Sequence, residues 1–284
     1  MGNRVPDIYQ VRESIFAIVG QEGATNFGIV KGEDGSALVI DADIRRIDEI
    51  ETALRETGCN RVRYLLNTHE NFDHSSGNDY FAQKGAIVLG SEGCWSALKE
   101  DGDAKFAEMA GRAPELKRRF PDLKMGLPQI SFGQMATVHL PGFSIRLVYS
   151  AYNGKSHSRG DAIALLDPQG ILFAGDLLYT EVHPVTIYGD IANWIQSIDF
   201  LLREGFACVV PGHGPVVRGK TAQKDAFLKF RSYLEDFHER LLEVSSGGKS
   251  AAEIESHMKS GKYASLGKTW MVKRNIEYFL KGRK

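Results

Sequence analysis

Between Thr68 and Asn78 the chain reads THENFDHSSGN, directly after an apolar run, so that His69, Asn71, Asp73 and His74 fall within six residues. Three later residues occupy the same kind of place: His157 in SHSRGD, Asp176 in LFAGD and His213 in PGHGP. Each follows a hydrophobic run and sits where a strand hands over to a loop. Imidazole nitrogens and carboxylate oxygens suit zinc or non-haem iron, whereas magnesium or calcium favours an all-oxygen set. In an extended segment His69, Asn71 and Asp73 share one face, because strand side chains alternate. His74 faces the other way unless the chain turns, which the following SSG allows. One short loop can therefore serve two neighbouring metal positions.

Each candidate has a plainer explanation to set beside this one. A lone histidine is usually a surface or core residue, but here four polar side chains lie between an apolar run and a helix start. Asp176, beside Gly175, reads as a turn cap in isolation and as a bridging ligand in the company of the histidines. The prolines and glycines of PGHGP hold His213 in a rigid turn. SHSRGD is the weakest segment alone, because a hydrogen bond between His157 and Asp161 would explain it. His139, His183, His238 and His257 lack such company. His238 and His257 lie in charged helices and read as solvated; His183, in EVHP after Asp176, has the option of facing the site or its substrate.

Hydrophobic residues make up 43% and charged residues 25% of the 284 residues, which are ordinary globular values. The net charge of −1 argues against a phosphate-neutralising surface, so no nucleic-acid partner is expected. No run approaches the ~18 apolar residues of a membrane span, and none is expected. The opening MGNRVPDIYQVRESI has no apolar core of a secretory signal. Cys59, Cys94 and Cys208 are odd in number and widely spaced, and read as buried free thiols in a reducing compartment. The expectation is a cytoplasmic protein with a small-molecule substrate. No feature of the sequence speaks to its oligomeric state.

Apolar runs at 15–19, 26–30 and 37–40, with GEDG between the last two, predict antiparallel strands. Asp43 precedes Ile44, Ile47, Ile50 and Leu54, spaced for one buried helix face. A strand at 62–66, a helix at about 75–83 and a strand at 86–89 follow. Residues 92–135 are charged, helical in parts and broken by prolines, with no obvious strand; they read as a helical insert, either a lid or a plain surface connection. Strand patterns resume at 136–140, 144–149, 162–166 and 171–174, then a helix at 193–203 and a strand at 207–210. Residues 221–284 are helical, broken by the glycine pair at 247–248. Residues 1–220 therefore read as one domain of two similar halves packed sheet on sheet, with 221–284 as helices on the same domain.

HENFDHSSGN, HSRGDAIALL, ILFAGDLLY and VVPGHGPV, in that order, resemble the metallo-β-lactamase fold superfamily, whose hallmark is H-x-H-x-D-H followed by distant His, Asp and His ligands. The likeness runs from Thr25 to the PGHGP turn and is to the stand-alone hydrolase branch with helices at the C-terminus. It implies an α/β fold, a four-layer αβ/βα sandwich with the metals at one edge between the sheets. It also implies the ligand sets: His69, His157 and the third motif position on one metal, Asp73, His74 and His213 on the other, and Asp176 bridging. Asn71 stands at that third position, in place of the second histidine. An amide oxygen is a weaker donor than imidazole, so the second set is expected to hold its metal tightly and the first loosely.

The function this implies is metal-dependent hydrolysis with one or two zinc ions. Bound zinc lowers the pKa of its water toward ~7, giving hydroxide at neutral pH. Asp73 would orient that water and carry a proton to the leaving group. Ester, thioester, lactone and lactam bonds suit this chemistry; a phosphodiester suits it less, because no basic cluster surrounds the motifs. Tyr152, Asn153, Lys155 and Tyr179 are polar groups that would hold a substrate. An alternative is an iron oxidoreductase of the persulfide-dioxygenase type, using His69, His157 and Asp176. A third reading is a binding or regulatory protein with a partly decayed site, for which Asn71 is the only sign.

Overall fold

The computed structural model describes residues 5–150 and 154–282. Strands β1 (Asp7–Arg12), β2 (Ile15–Val19), β3 (Phe27–Lys31) and β4 (Ser36–Ile40) form an antiparallel meander. Helix α1 (Ile47–Glu56) crosses to β5 (Arg61–Leu66), which lies parallel to β4. The short helices α2 (Phe72–Ser75) and α3 (Asn78–Gln83) lead to β6 (Ile87–Ser91), and α4 (Glu92–Arg112) and α5 (Pro114–Arg119) to β7 (Ile130–Phe132); both strands add in parallel. The second sheet holds β8 (Met135–Leu140), β9 (Phe143–Tyr149), β10 (Ala162–Leu166), β11 (Ile171–Tyr179), β12 (Cys208–His213) and β13 (Val217–Arg218), with α6 (Ile191–Arg203) between β11 and β12. Helices α7 (Lys220–Ser245), α8 (Ala251–Met258) and α9 (Trp270–Lys281) follow.

Both sheets are buried on both faces, which is why their central strands read as unbroken apolar runs. Along β4, Leu38 and Ile40 face the second sheet while Ala37 and Val39 face the helices α1 and α4. Along β11, Ile171 and Phe173 face the first sheet while Leu172 and Ala174 face α6 and α7. The layers are therefore helices, sheet, sheet, helices: the four-layer αβ/βα sandwich. Helix α6 shows the cause at residue level: Trp194, Ile198 and Leu201 recur at helical spacing and are buried together. The glycine break separates α7 from α8, where Ser250 and Glu253 form a capping box.

Several expectations need correction. The segment 92–135 is not free of strand, since Ile130–Phe132 pairs with β6. Nor is it a plain surface connection: Cys94, Leu98, Phe106, Leu116 and Met125 are buried against the first sheet's helix side. Its middle also reaches the site rim, with the Phe106 ring 5.8 Å from that of Phe72 and Lys105 over the ring of Tyr188. The chain turns helical at Phe72, so Asp73 does not continue an extended segment. β11 runs on through Asp176 to Tyr179 instead of ending at Ala174. Among the three thiols, Cys94 and Cys208 are buried and Cys59 only partly so; all three are free. No helix among the described residues is long and apolar enough to cross a membrane.

Candidate metal centre

The loop after β5, the loop before β10, the middle of β11 and the end of β12 meet at one edge of the two sheets. Hydrogen bonds close that edge: Ala162 N donates to Thr68 O at 2.7 Å, and the Asn26 amide donates to Pro211 O at 2.9 Å and Gly214 O at 2.8 Å. Two glycines make the approach possible. Gly175 has φ +52° and lies against Thr68, and a Cβ on Gly212 would come within 2.0 Å of Asp176 Oδ1. The glycine before Asp176 and the one before His213 are thus requirements of the carboxylate's position.

Asp176 lies at the centre, with its two oxygens turned to different histidine pairs. Oδ2 is 3.6 Å from His69 Nε2 and 3.3 Å from His157 Nε2. Oδ1 is 3.2 Å from His74 Nε2 and 3.4 Å from His213 Nε2. Asp73 Oδ2 joins the second pair, 3.7 Å from His74 Nε2 and 3.6 Å from His213 Nε2. Two groups able to hold a metal ion result: His69, His157 and Asp176, and Asp73, His74 and His213. Asn71 reaches the first group through its side-chain amide, 2.9 Å from His157 Nε2. His69 Nε2, His74 Nε2 and Asp176 Oδ1 are buried and have no hydrogen-bond partner. Orphaned buried donors and acceptors are costly, and a cation among them removes the cost; the residues fit a metal. The field fits it too. Burial works against charge on His74, but Asp176, Asp41 and Asp73 outweigh it and raise its pKa well above the usual value. That nitrogen favours a positive partner, proton or metal.

Residues 20–213 match the sequence profile of the Metallo-beta-lactamase superfamily. The chain belongs to that superfamily. A metallo-beta-lactamase family protein from Thermus thermophilus is 20% identical, with a TM-score of 0.68 over 96% of this chain and 95% of its own. A metallo-beta-lactamase from Pontibacter korlensis is 19% identical, with a TM-score of 0.61 over 81% of this chain and 99% of its own. A stereoselective inverting sec-alkylsulfatase from Pseudomonas sp. is 15% identical, with a TM-score of 0.70 over 99% of this chain but 50% of its own. At these identities the likeness is one of fold. The metallo-beta-lactamase fold typically binds divalent metals, and the two His and Asp groups are able to hold such an ion.

Around this superfamily site stand residues that the motifs do not announce. Asp41 follows β4 with φ +62°, and its carboxylate accepts from Thr68 N, Thr68 Oγ1 and His74 Nδ1 at 2.7, 2.7 and 2.8 Å. Thr25 Oγ1 donates to Asp73 Oδ2 at 2.5 Å. Glu70 ties the two loops together, accepting from Arg159 N, Gly160 N and Ser158 Oγ, each at 3.0 Å. Asp161, the partner foreseen for His157, instead accepts from Ser158 N at 2.8 Å, and burial and the nearby Glu70 push its pKa up to about 7. His157 directs Nδ1 to Val185 O at 3.1 Å. Lys268, from the segment before α9, has φ +54° and places Nζ 3.4 Å from His213 Nδ1. A strained backbone beside a metal site marks a position the fold holds deliberately.

The substrate-facing candidates separate. Tyr152 and Asn153 lie outside the described residues. Lys155 is exposed, while Tyr179 is buried, donates to Asp176 Oδ2 and stacks on His213 with centroids 4.9 Å apart. His183 does not face the site: it is buried, with Nδ1 2.8 Å from the Tyr233 hydroxyl. His238 is half-buried, not fully solvated, and His139 and His257 are exposed. A cavity of about 880 Å³ lies behind Tyr179, between the β12–β13 turn and α7, and none of the seven site residues lines it.

Proposed function

We propose that the protein is a zinc-dependent hydrolase of a small-molecule ester, thioester, lactone or lactam. The observation that carries this reading is the division of the Asp176 carboxylate between two groups, one of which includes an aspartate open to the outside. Zinc held by such groups supplies an activated water and a Lewis acid for the scissile carbonyl. The chain's own residues do the rest. Asp176 Oδ1 and Oδ2 keep the two groups adjacent, and the Tyr179 hydroxyl fixes the carboxylate plane. Burial raises the pKa of Asp73, but His74 and His213 outweigh it and hold it below the usual carboxylate range, so Asp73 is ionised at neutral pH. With Thr25 Oγ1 on its Oδ2, Asp73 is oriented to accept a proton from the attacking water and pass it to the leaving group. The free thiols suit a reducing, cytoplasmic setting.

One observation favours a second reading. His69, His157 and Asp176 form a two-histidine, one-carboxylate group by themselves, which suits ferrous iron and an oxidoreductase of the persulfide-dioxygenase type. Metal analysis of protein purified without chelator separates the two. Zinc together with turnover of at least one bond among an aryl ester, a thioester, a lactone and a lactam is expected. Iron at about one per chain, with no hydrolysis of the panel, would replace the hydrolase by the oxidoreductase.

A further inference from the structure

Each of the four site histidines points Nδ1 at an oxygen. His157 and His213 face backbone carbonyls, those of Val185 at 3.1 Å and Gly23 at 2.9 Å; His74 faces Asp41 Oδ2 at 2.8 Å and His69 faces Thr68 Oγ1 at 3.1 Å. A carbonyl only accepts, so His157 carries its hydrogen on Nδ1 and presents a lone pair at Nε2. That lone pair is the one a metal would use. At His69 and His74 the Nε2 atom has no hydrogen-bond partner, but at His157 it does: Asn71 Nδ2, at 2.9 Å. Chemistry fixes which end of the amide is turned inward. A lone pair takes an N–H, whereas the amide oxygen in the same place would set two lone pairs against each other. Asn71 therefore holds its oxygen away from the site and its hydrogen on the nitrogen that would bind.

We propose that Asn71 is a lock on the metal group of His69, His157 and Asp176, and not a ligand of it. The group of Asp73, His74 and His213, with Asp176 Oδ1, carries the Thr25 hydroxyl on Asp73 Oδ2, which leaves that carboxylate further lone pairs. Among the described residues no donor is set on a histidine Nε2 of this group, and it fills first. Filling the other requires the Asn71–His157 hydrogen bond to break. The side chain is free to be removed without loosening the loop, since only the backbone carbonyl of Asn71 supports α2, accepting from His74 N and Ser75 N at 2.9 and 3.0 Å. This inference rests on the reading of the site as a metal centre but not on the reaction assigned to it.

A lock and a weak ligand predict opposite signs for one substitution. Metal-stripped wild-type protein and Asn71→Ala are titrated with zinc by calorimetry, and bound zinc is counted after desalting. The wild type should show one tight and one weak equivalent. In Asn71→Ala the weak equivalent should tighten by about threefold to tenfold, the weight of one hydrogen bond, while the tight one stays unchanged. A weakened or unaltered second equivalent in Asn71→Ala overturns the lock. Asn71→His, which adds a ligand as well as removing the donor, should give two tight equivalents, and a second equivalent no tighter than the wild type's overturns it too. Uptake of no zinc by any of the three would sink the metal centre itself. Zinc binding as expected without turnover of any ester, thioester, lactone or lactam would sink only the hydrolase.

Discussion

Asp73 has 29% of its side chain exposed, while the side chains of His69, His74, His157, Asp176 and His213 are at most 3% exposed. The group that meets the outside is the one proposed to move protons. Asp73→Ala should lower kcat/KM by at least about a hundredfold, the usual weight of a positioned acid–base group. It should also reduce the zinc retained, and leave the thermal midpoint within a few degrees, because the residue sits partly exposed in the short helix α2 and not in the apolar core. Full zinc content together with full turnover would remove the hydrolase reading. The seven candidate residues were legible because polar side chains of ligand type cluster directly after the apolar run ending at Leu66 and recur in SHSRGD, LFAGD and PGHGP. Asp41, Glu70 and Lys268 were not. Asp41 also ends an apolar run, but its role depends on φ +62° and on a histidine from another loop. Lys268 lies in a stretch that the sequence reads as charged and helical, where one lysine is indistinguishable from its solvated neighbours, whereas the backbone at Lys268 is not helical.

At the scale of elements, α7 is tied to the segment after β11 by His183. Burial, with a smaller contribution from Lys259, lowers its pKa to about 4, and its Nε2 has no hydrogen-bond partner. The unfolded chain should bind a proton there near pH 6.5, so between about 6.5 and 4 the unfolded state holds more protons than the folded one. The stability this neutral histidine contributes is present above pH 6.5 and is lost as pH falls through that window. The unfolding free energy measured by urea titration across it should fall less steeply in His183→Asn than in the wild type, by at most about 1.4 kcal/mol per pH unit. Parallel slopes would show that His183 titrates alike in the folded and the unfolded chain, and would remove this contribution. Helix and strand positions were mostly legible from apolar periodicity. β7 was not, because Ile130 and Ser131 are exposed and only Phe132 is buried, which leaves almost no pattern to read.

At the scale of the molecule, the C-terminal helices complete a layer of the sandwich. Phe227, Phe230, Leu234, Phe237 and Leu241 of α7 belong to the same buried cluster as Leu172 and Val209 of the second sheet. We therefore propose that residues 1–220 and 221–284 form one cooperative unit. A chain ending at Gly219 should lose cooperative thermal unfolding and precipitate or bind a hydrophobic dye, since one face of that sheet would meet water. A truncated chain with a sharp, reversible transition would make the helices a separate appendage. The division into two halves was legible from strand blocks given twice; for the helical insert a lid and a surface connection stayed open, because the contact between α4 and the site rim joins residues far apart in sequence. The same distance has a consequence for how the chain encounters metals in a cell. Three of the four imidazoles, those of His74, His157 and His213, are aimed by oxygens from elsewhere in the chain, up to 190 positions away for His213 and Gly23. An incompletely folded chain offers scattered histidines, to which copper would bind most strongly among the divalent first-row ions. Only the finished fold imposes fixed angles and a mixed nitrogen and oxygen donor set. On the proposed metal-centre reading, selection of the ion is deferred until geometry, and not raw affinity, makes the choice.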